Sequence, residues 1–318
     1  MERKRQRKRQ RKLRKLKRIR ILSMIIILGG LLSILTLKLY VEASDGSEII
    51  IFKYDKEASE ATAYGEPSYD ESLYQIVENS EGSPTVKDVR LDTDVESKLA
   101  LLAAEDEEIA QIYTDKNSYP EELLTALANN PELKEFVKGY LSSDGTVKAG
   151  LNEEELSQDF PLLLQWDSRW GYAPYGKTNI GISGCGPTCM AMVIFSLTRD
   201  ASATPDALAA YSMKNGYYSQ GSGTAWLFMT DAAKTYGLNA KELGLDEESM
   251  KSYLDLGRPI ICAMRPGDFT TVGHFIVIYG YDKDGFLIND PNSRERSGRH
   301  WDFDTLQYQI KNLWGYYI

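Results

Sequence analysis

A thiol, an imidazole and a carboxylate stand in this chain in settings suited to acyl transfer. Cys185 lies in Gly184-Cys185-Gly186-Pro187, which reads as a helix opening. Glycine lets a backbone approach closely, and proline is preset for a first helical turn. The unpaired N–H groups and positive end of a helix favour a thiolate and point at any carbonyl that the sulfur attacks. Such a nucleophile needs a base to take and return a proton. The chain has two histidines, His274 and His300. His274 opens an apolar strand pattern after the loop GDFTTVG, at a sheet edge, whereas His300 sits in the charged stretch RERSGRHWDFD and reads as a surface residue. Placement favours His274 as the base. Asp290 ends the strand that would pair back antiparallel to it. If the turn adds a bulged residue, Asp290 shares the face of His274 one diagonal step away, at about 7–8 Å between backbones. Asn289 would face the other way and Asn292 lies past Pro291, so both are weaker orienting groups. A side-chain donor for an oxyanion is either Gln165 or Asn179, and spacing alone leaves both open.

The elements that must position these groups are legible in outline. The helix opening at Cys185 carries Met190, Val193, Ile194 and Leu197. Thr204-Pro205-Asp206 starts a second helix with Thr204 as its cap. Thr224 starts a third, which Gly237 closes, and Asp246 a fourth, which Gly257 closes. Beyond Gly257 the period becomes that of strands: PIICAM over 259–264, HFIVIYGY over 274–281, then the turn Asp282-Lys283-Asp284-Gly285 and a return strand over 286–290. Helices followed by an antiparallel sheet make an α+β layout.

These residues resemble a known family. GCGPTC around Cys185, GHFIVIYGYD at His274 and INDPNS at Asp290 are similar to the C39-like, bacteriocin-processing-type cysteine peptidases, a papain-like fold. The segment LLLQWDSRWGYAPYG looks like the opening of the extracellular branch of that family. The resemblance covers about the last 160 residues. It implies Cys185 as nucleophile, His274 as base, Asp290 as the group orienting it, and Gln165 as oxyanion donor. Two departures stand out: a long insertion separates Gln165 from Cys185, and the chain lacks the phosphate-binding loop and multi-span domain of the leader-processing transporters. The leader-peptide substrate therefore does not carry over.

The remaining chemistry-bearing residues read as structural. Cys189 and Cys262 are expected to be buried apolar residues. Three cysteines in an exported chain are an odd count and too few for a disulfide scaffold. A structural zinc would want four ligands, and Asp282–Gly285 lacks the remaining ligands of a calcium loop, so no metal or cofactor is expected. Trp166, Trp170, Tyr172 and Tyr175 read as core aromatics, with a substrate groove as the alternative. Gly221-Ser222-Gly223 reads as a plain loop.

Upstream, charge is partitioned along the chain. The net charge is −9, but residues 1–20 carry 13 of the 37 Lys+Arg and one acid, a local +12 that leaves −21 for the rest. Ile21 to Leu37 has no charge, and with its flank to Val41 it reaches the ~30 Å of a bilayer core. Basic residues beside a span hold that side in the cytoplasm. The expectation is a signal anchor over 21–41, with residues 1–20 cytoplasmic and the catalytic part outside the cell membrane. Secretion after signal cleavage near Ala43 is the alternative. The basic segment is explained by insertion, so no nucleic acid is expected as partner. Residues 42–91 read as an acidic flexible stalk, long enough to hold the next unit roughly 40 Å away. Residues 92–157 read as a bundle of two or three short helices that packs on the domain downstream of it, and residues 158–318 as the peptidase domain. No feature of the sequence fixes an oligomeric state. The expected function is peptide-bond hydrolysis on a peptide or protein substrate through Cys185, His274 and Asp290. The alternatives are an acyl or peptidyl transferase and a non-catalytic binding module at the cell surface.

Overall fold

A computed structural model describes residues 95–318 apart from residue 222. The expected basic segment, span and stalk lie outside the described residues. Among the described residues no helix is long and apolar enough to cross a membrane.

The described residues begin with four short helices: α1 (Val95–Glu105), α2 (Glu107–Thr114), α3 (Glu121–Asn129) and α4 (Lys134–Tyr140). Asp106 caps α2 by accepting from the backbone N–H groups of Glu108 and Ile109. Asn130 caps the single 3₁₀ turn Pro131–Leu133 that leads into α4. The apolar faces of these helices close over Leu99, Ile112, Leu127 and Val137. The same cluster takes in Leu164 and Trp166 from farther along the chain. Four such helices have too little core to stand alone, and the downstream side chains complete it.

A short α5 (Glu153–Ser157), with a capping box between Asn152 and Glu155, precedes the tight hairpin of β1 (Pro174–Tyr175) and β2 (Thr178–Asn179). One turn, α6 (Ile180–Ser183), then runs directly into α7 (Cys185–Thr198). From Gly186 to Phe195 every residue of α7 is buried. A helix apolar all round belongs in a core. It packs against α8 (Pro205–Lys214), α9 (Leu227–Thr235) and one face of a sheet. The expected caps Thr204 and Asp246 are observed, the latter opening α10 (Glu247–Leu254). Thr224 does not start a helix. It lies in β4 (Gly223–Thr224), paired with β3 (Tyr218–Ser219), and α9 begins at Leu227 without a side-chain cap.

The main sheet is antiparallel, with strand order β5-β9-β6-β7-β8. Its strands are β5 (Asn239–Glu242), β6 (Ile260–Met264), β7 (His274–Asp282), β8 (Gly285–Asn289) and β9 (Ile310–Tyr317). Its other face is covered by α10, Trp301 and α12 (Phe303–Gln307), the last reached through α11 (Arg294–Ser297). With both faces covered, β6 is buried throughout. The architecture is α+β.

Candidate active site

Cys185 is the first residue of α7 and is half-buried, at the end of the helix that meets the sheet. The first-turn N–H groups have no helical carbonyl to reach, and Pro187 contributes none. Thr188 returns its N–H to the Gly184 carbonyl at 3.0 Å. Gly186 is needed for close approach. A Cβ there would stand 2.7 Å from Thr224 Oγ1 and 2.8 Å from Thr224 Cβ. Thr224 cannot yield, because its hydroxyl is fixed to the buried Tyr175 hydroxyl at 2.7 Å, which also meets Ser212 Oγ at 2.8 Å. Gly186→Ala is expected to destabilise the fold by about 1–3 kcal/mol, the usual effect of overpacking. Chemical denaturation measures it, and an unchanged midpoint would mean that the β3–β4 hairpin shifts freely.

His274 opens β7 and is 9% exposed. Its partner is positioned by an irregularity in the sheet. Lys283-Asp284 make a two-residue turn, and Tyr279 is the extra residue, with Ile278 opposite Ile288 but Gly280 opposite Leu287. The bulge therefore lies inside β7 and not in the turn. It sets Val277 opposite Asn289, hence Asp290 opposite Ile276, two residues from His274 on the same face. His274 Nε2 meets Asp290 Oδ1 at 2.7 Å. That bond leaves Nδ1 as the ring nitrogen for the thiol. Cys185 faces the same imidazole closely enough to add to the influences that raise its pKa.

Asp290 is fully buried and densely held. Oδ1 also accepts from the Asn292 N–H at 2.7 Å, and Oδ2 accepts from Arg296 Nε at 2.5 Å. The Asp290 N–H donates to Ser297 Oγ at 2.8 Å. Burial opposes its charge, but His274 and Arg296 more than offset burial and keep the carboxyl below the usual carboxylate range. Burial likewise works to lower the His274 pKa. The Asp290 charge and hydrogen bond, with a smaller contribution from Cys185, outweigh it and push the imidazole up to about 9.

These directions predict a pH profile of stability. A histidine raised from 6.5 to about 9 contributes stability that is fully present below pH 6.5 and lost as pH rises through 9. The lowered Asp290 contributes above its ordinary value of 3.8 and is lost as pH falls through its depressed one. Between pH 6.5 and 9.5 the unfolding free energy should fall by on the order of 3 kcal/mol from this pair. Urea midpoints across that window check it. His274→Gln should flatten the profile, and parallel profiles for the two proteins would refute the coupling.

The insertion between Gln165 and Cys185 folds into β1, β2 and α6, which brings Gln165 beside the turn preceding the thiol. Gln165 Nε2 donates to the Gly181 carbonyl at 2.9 Å, and its backbone N–H to the Pro291 carbonyl at 2.8 Å. One amide hydrogen is thus committed, the second meets the Ile182 carbonyl only at 3.4 Å, and Oε1 is buried without a partner. Asn179 uses its carbonyl oxygen as the cap of α6, accepting from the Ile182 N–H at 3.0 Å.

Other residues separate from this group. Asn289 points away and donates to the Pro161 carbonyl at 3.1 Å. His300 pairs with Asp282 at the surface at 2.9 Å. Cys189 and Cys262 are fully buried, and burial pushes both thiols up. Trp166, Trp170 and Tyr175 are core residues, and Tyr172 stacks on Phe136 with centroids 4.4 Å apart. Arg296, Ser297 and the Asn292 backbone are parts of the site that the sequence does not reveal. Arg296 falls in a charge run that has the pattern of a solvated helix. The one hint is its position six residues after the Asp290 of an Asp-Pro turn.

A thiol at a helix N-terminus, against an imidazole held by a buried carboxylate, can attack a carbonyl and pass a proton to a leaving group. Residues 157–317 match the Peptidase_C39 like family, and the chain belongs to that family. It is similar to the peptidase domain of Streptococcus ComA, a bifunctional ABC transporter of a quorum-sensing pathway. The two share 22% identity over 42% of this chain and 90% of that one, with a TM-score of 0.31. It is also similar to a protein described as a C39-like peptidase from Bacillus anthracis, with 17% identity over 43% of this chain and 89% of that one and a TM-score of 0.29. No curated protein matches the chain significantly.

Proposed function

We propose that the protein is a cysteine peptidase that hydrolyses peptide bonds outside the cytoplasm, held at the cell membrane by the apolar segment over residues 21–41. The observation that carries the reading is the convergence of the Cys185 thiol, the His274 ring and the buried Asp290 carboxylate at one end of the sheet. Cys185 attacks the scissile carbonyl carbon. Its C=O π pair moves onto oxygen, which rests on N–H groups at the start of α7 and on the Gln165 amide hydrogen that exchanges its weak bond to the Ile182 carbonyl for the oxyanion. His274 gives its proton to the leaving amine as the C–N bond breaks, then takes one from water as water attacks the thioester carbon and the C–S bond breaks to release the Cys185 thiolate. The anchor reading rests on the uncharged 17-residue run between a +12 segment and a −21 remainder.

Digestion of a peptide library by the full chain tests the proposal, with Cys185→Ala as control. Cleavage that depends on Cys185 supports a peptidase. Products coupled to an added amine would replace hydrolysis by acyl transfer, and no covalent turnover would leave a binding module. Fractionation with membranes, and protease access to residues 95–318 from outside intact cells, tests the anchor and its orientation.

A further inference from the structure

The helical bundle carries no group suited to chemistry, yet it grips the loop that presents Asp290. Asn130, at the junction between α3 and the 3₁₀ turn, is buried and donates from Nδ2 to the Asn292 carbonyl. Trp166 Nε1 donates to that same carbonyl at 3.0 Å. The half-buried Glu132 does more. Its carboxylate accepts from Ser293 Oγ, from the Arg294 N–H at 2.8 Å and from the Glu295 N–H at 3.4 Å. Each of the bonds from Asn130 and Glu132 joins residues more than 160 positions apart. Glu132 thereby fixes the start of α11, the turn of helix that carries Arg296 and Ser297 onto Asp290. The bundle also reaches the other side of the site. A Cβ on Gly181 would stand 2.3 Å from Phe136 Cζ, so the Phe136 ring lies directly on the Gly181 backbone, whose carbonyl holds the Gln165 amide.

We propose that Glu132 is a positioning residue of the active site: from the helical bundle it holds residues 292–297 so that Arg296 and Ser297 keep Asp290 aimed at His274. This inference rests on the peptidase reading for its functional meaning, but its geometry is independent of substrate. The bundle is then a part of the catalytic unit, not a spacer between anchor and enzyme. Without Glu132, Ser293 and the Arg294 N–H lose their acceptor and α11 is free to leave Asp290. The groups facing His274 are Asp290 and Cys185, and the charge facing Asp290 is Arg296. Loosening of the loop should therefore appear at the His274 ring.

The test uses the full chain with labelled histidine. Only two histidines titrate, and His300→Gln assigns the pair. In Glu132→Ala the His274 titration should move down from its wild-type value by about one unit or more, as expected when a carboxylate partner withdraws. Selective alkylation of Cys185 at neutral pH should slow by about tenfold or more, the equivalent of one such unit. Glu132→Gln should restore both to within about twofold, because its carbonyl oxygen can accept the Arg294 N–H while its NH₂ group donates to Ser293 Oγ, a hydroxyl that can accept as well as donate. A folded Glu132→Ala with wild-type His274 titration would overturn the proposal. If Glu132→Ala fails to fold, Asn130→Ala must shift the His274 titration in the same direction, and an unchanged titration there would overturn it equally. A wild-type chain with the His274 shift but no peptide cleavage would refute the peptidase reading and leave the positioning role standing.

Discussion

Cys185→Ala is expected to leave the protein folded and to reduce turnover by about 10⁶-fold, the order seen when a nucleophile is removed from an assembled triad. The fold should survive because the substitution removes a single half-buried sulfur at the first position of α7. The packing of that helix resides in Gly186 to Phe195, and alanine is the best helix former. The same variant should lose the one fast-reacting thiol. Cys189 and Cys262 lie in the core, and burial holds their thiols up and away from the thiolate form that alkylating agents attack. Mass analysis after brief iodoacetamide treatment should find one label per chain in the wild type and essentially none in Cys185→Ala. Residual cleavage by the variant near the wild-type rate would remove Cys185 from the chemistry. Labelling spread over all three cysteines would mean that the core opens on the timescale of the reagent.

The candidate catalytic residues are legible because each stands in a strong local pattern. Gly184-Cys185-Gly186-Pro187 announces a helix start, and the HFIVIY run announces a strand with His274 at its head. Where local pattern and tertiary context disagree, the local pattern misleads. Thr224 ahead of an apolar run looks like a helix cap, but the Tyr175 hydroxyl claims its side chain and α9 starts three residues later. The final strand, β9, escapes a reading by pattern. It lies inside the sheet between β5 and β6, buried in part on both faces, and so lacks the two-residue alternation that marks a half-exposed strand. β5 has the sequence NAKE and is a strand only because β9 lies beside it. Arg296 and Glu132 are invisible for a related reason. Their roles are long-range pairings, and no local spacing encodes a bond between positions 132 and 293. The bulge at Tyr279 is an intermediate case. The face-sharing of His274 and Asp290 demands an extra residue somewhere in the hairpin, but nothing in the alternation of IVIYGYD says which one.

Asp290→Asn should cost both activity and stability, and the two losses are separable. The carboxylate accepts three charged or backbone donors, from His274, Asn292 and Arg296. An asparagine offers one acceptor oxygen and one NH₂ group. Whichever way it turns, a donor faces a donor, either at Arg296 or at the His274–Asn292 pair. The half-buried guanidinium then stands without its counter-charge, an arrangement that costs at most about 3–5 kcal/mol, the figure for a fully buried pair. At His274 the larger raising influence disappears while burial and the smaller contribution of Cys185 remain, so the imidazole should titrate well below its wild-type value of about 9. The protonated ring that would partner a thiolate is then lost at neutral pH, and turnover should fall by about 10²–10⁴-fold, the range for losing an oriented acid–base group. Arg296→Gln added to Asp290→Asn separates the effects. Removing the unpaired cation should recover much of the stability, measured by denaturation, but none of the activity, because nothing returns the proton to His274. If the double variant regains turnover along with stability, Asp290 acts only as a structural partner of Arg296. If Asp290→Asn alone keeps the wild-type His274 titration, the carboxylate does not set the charge state of the imidazole.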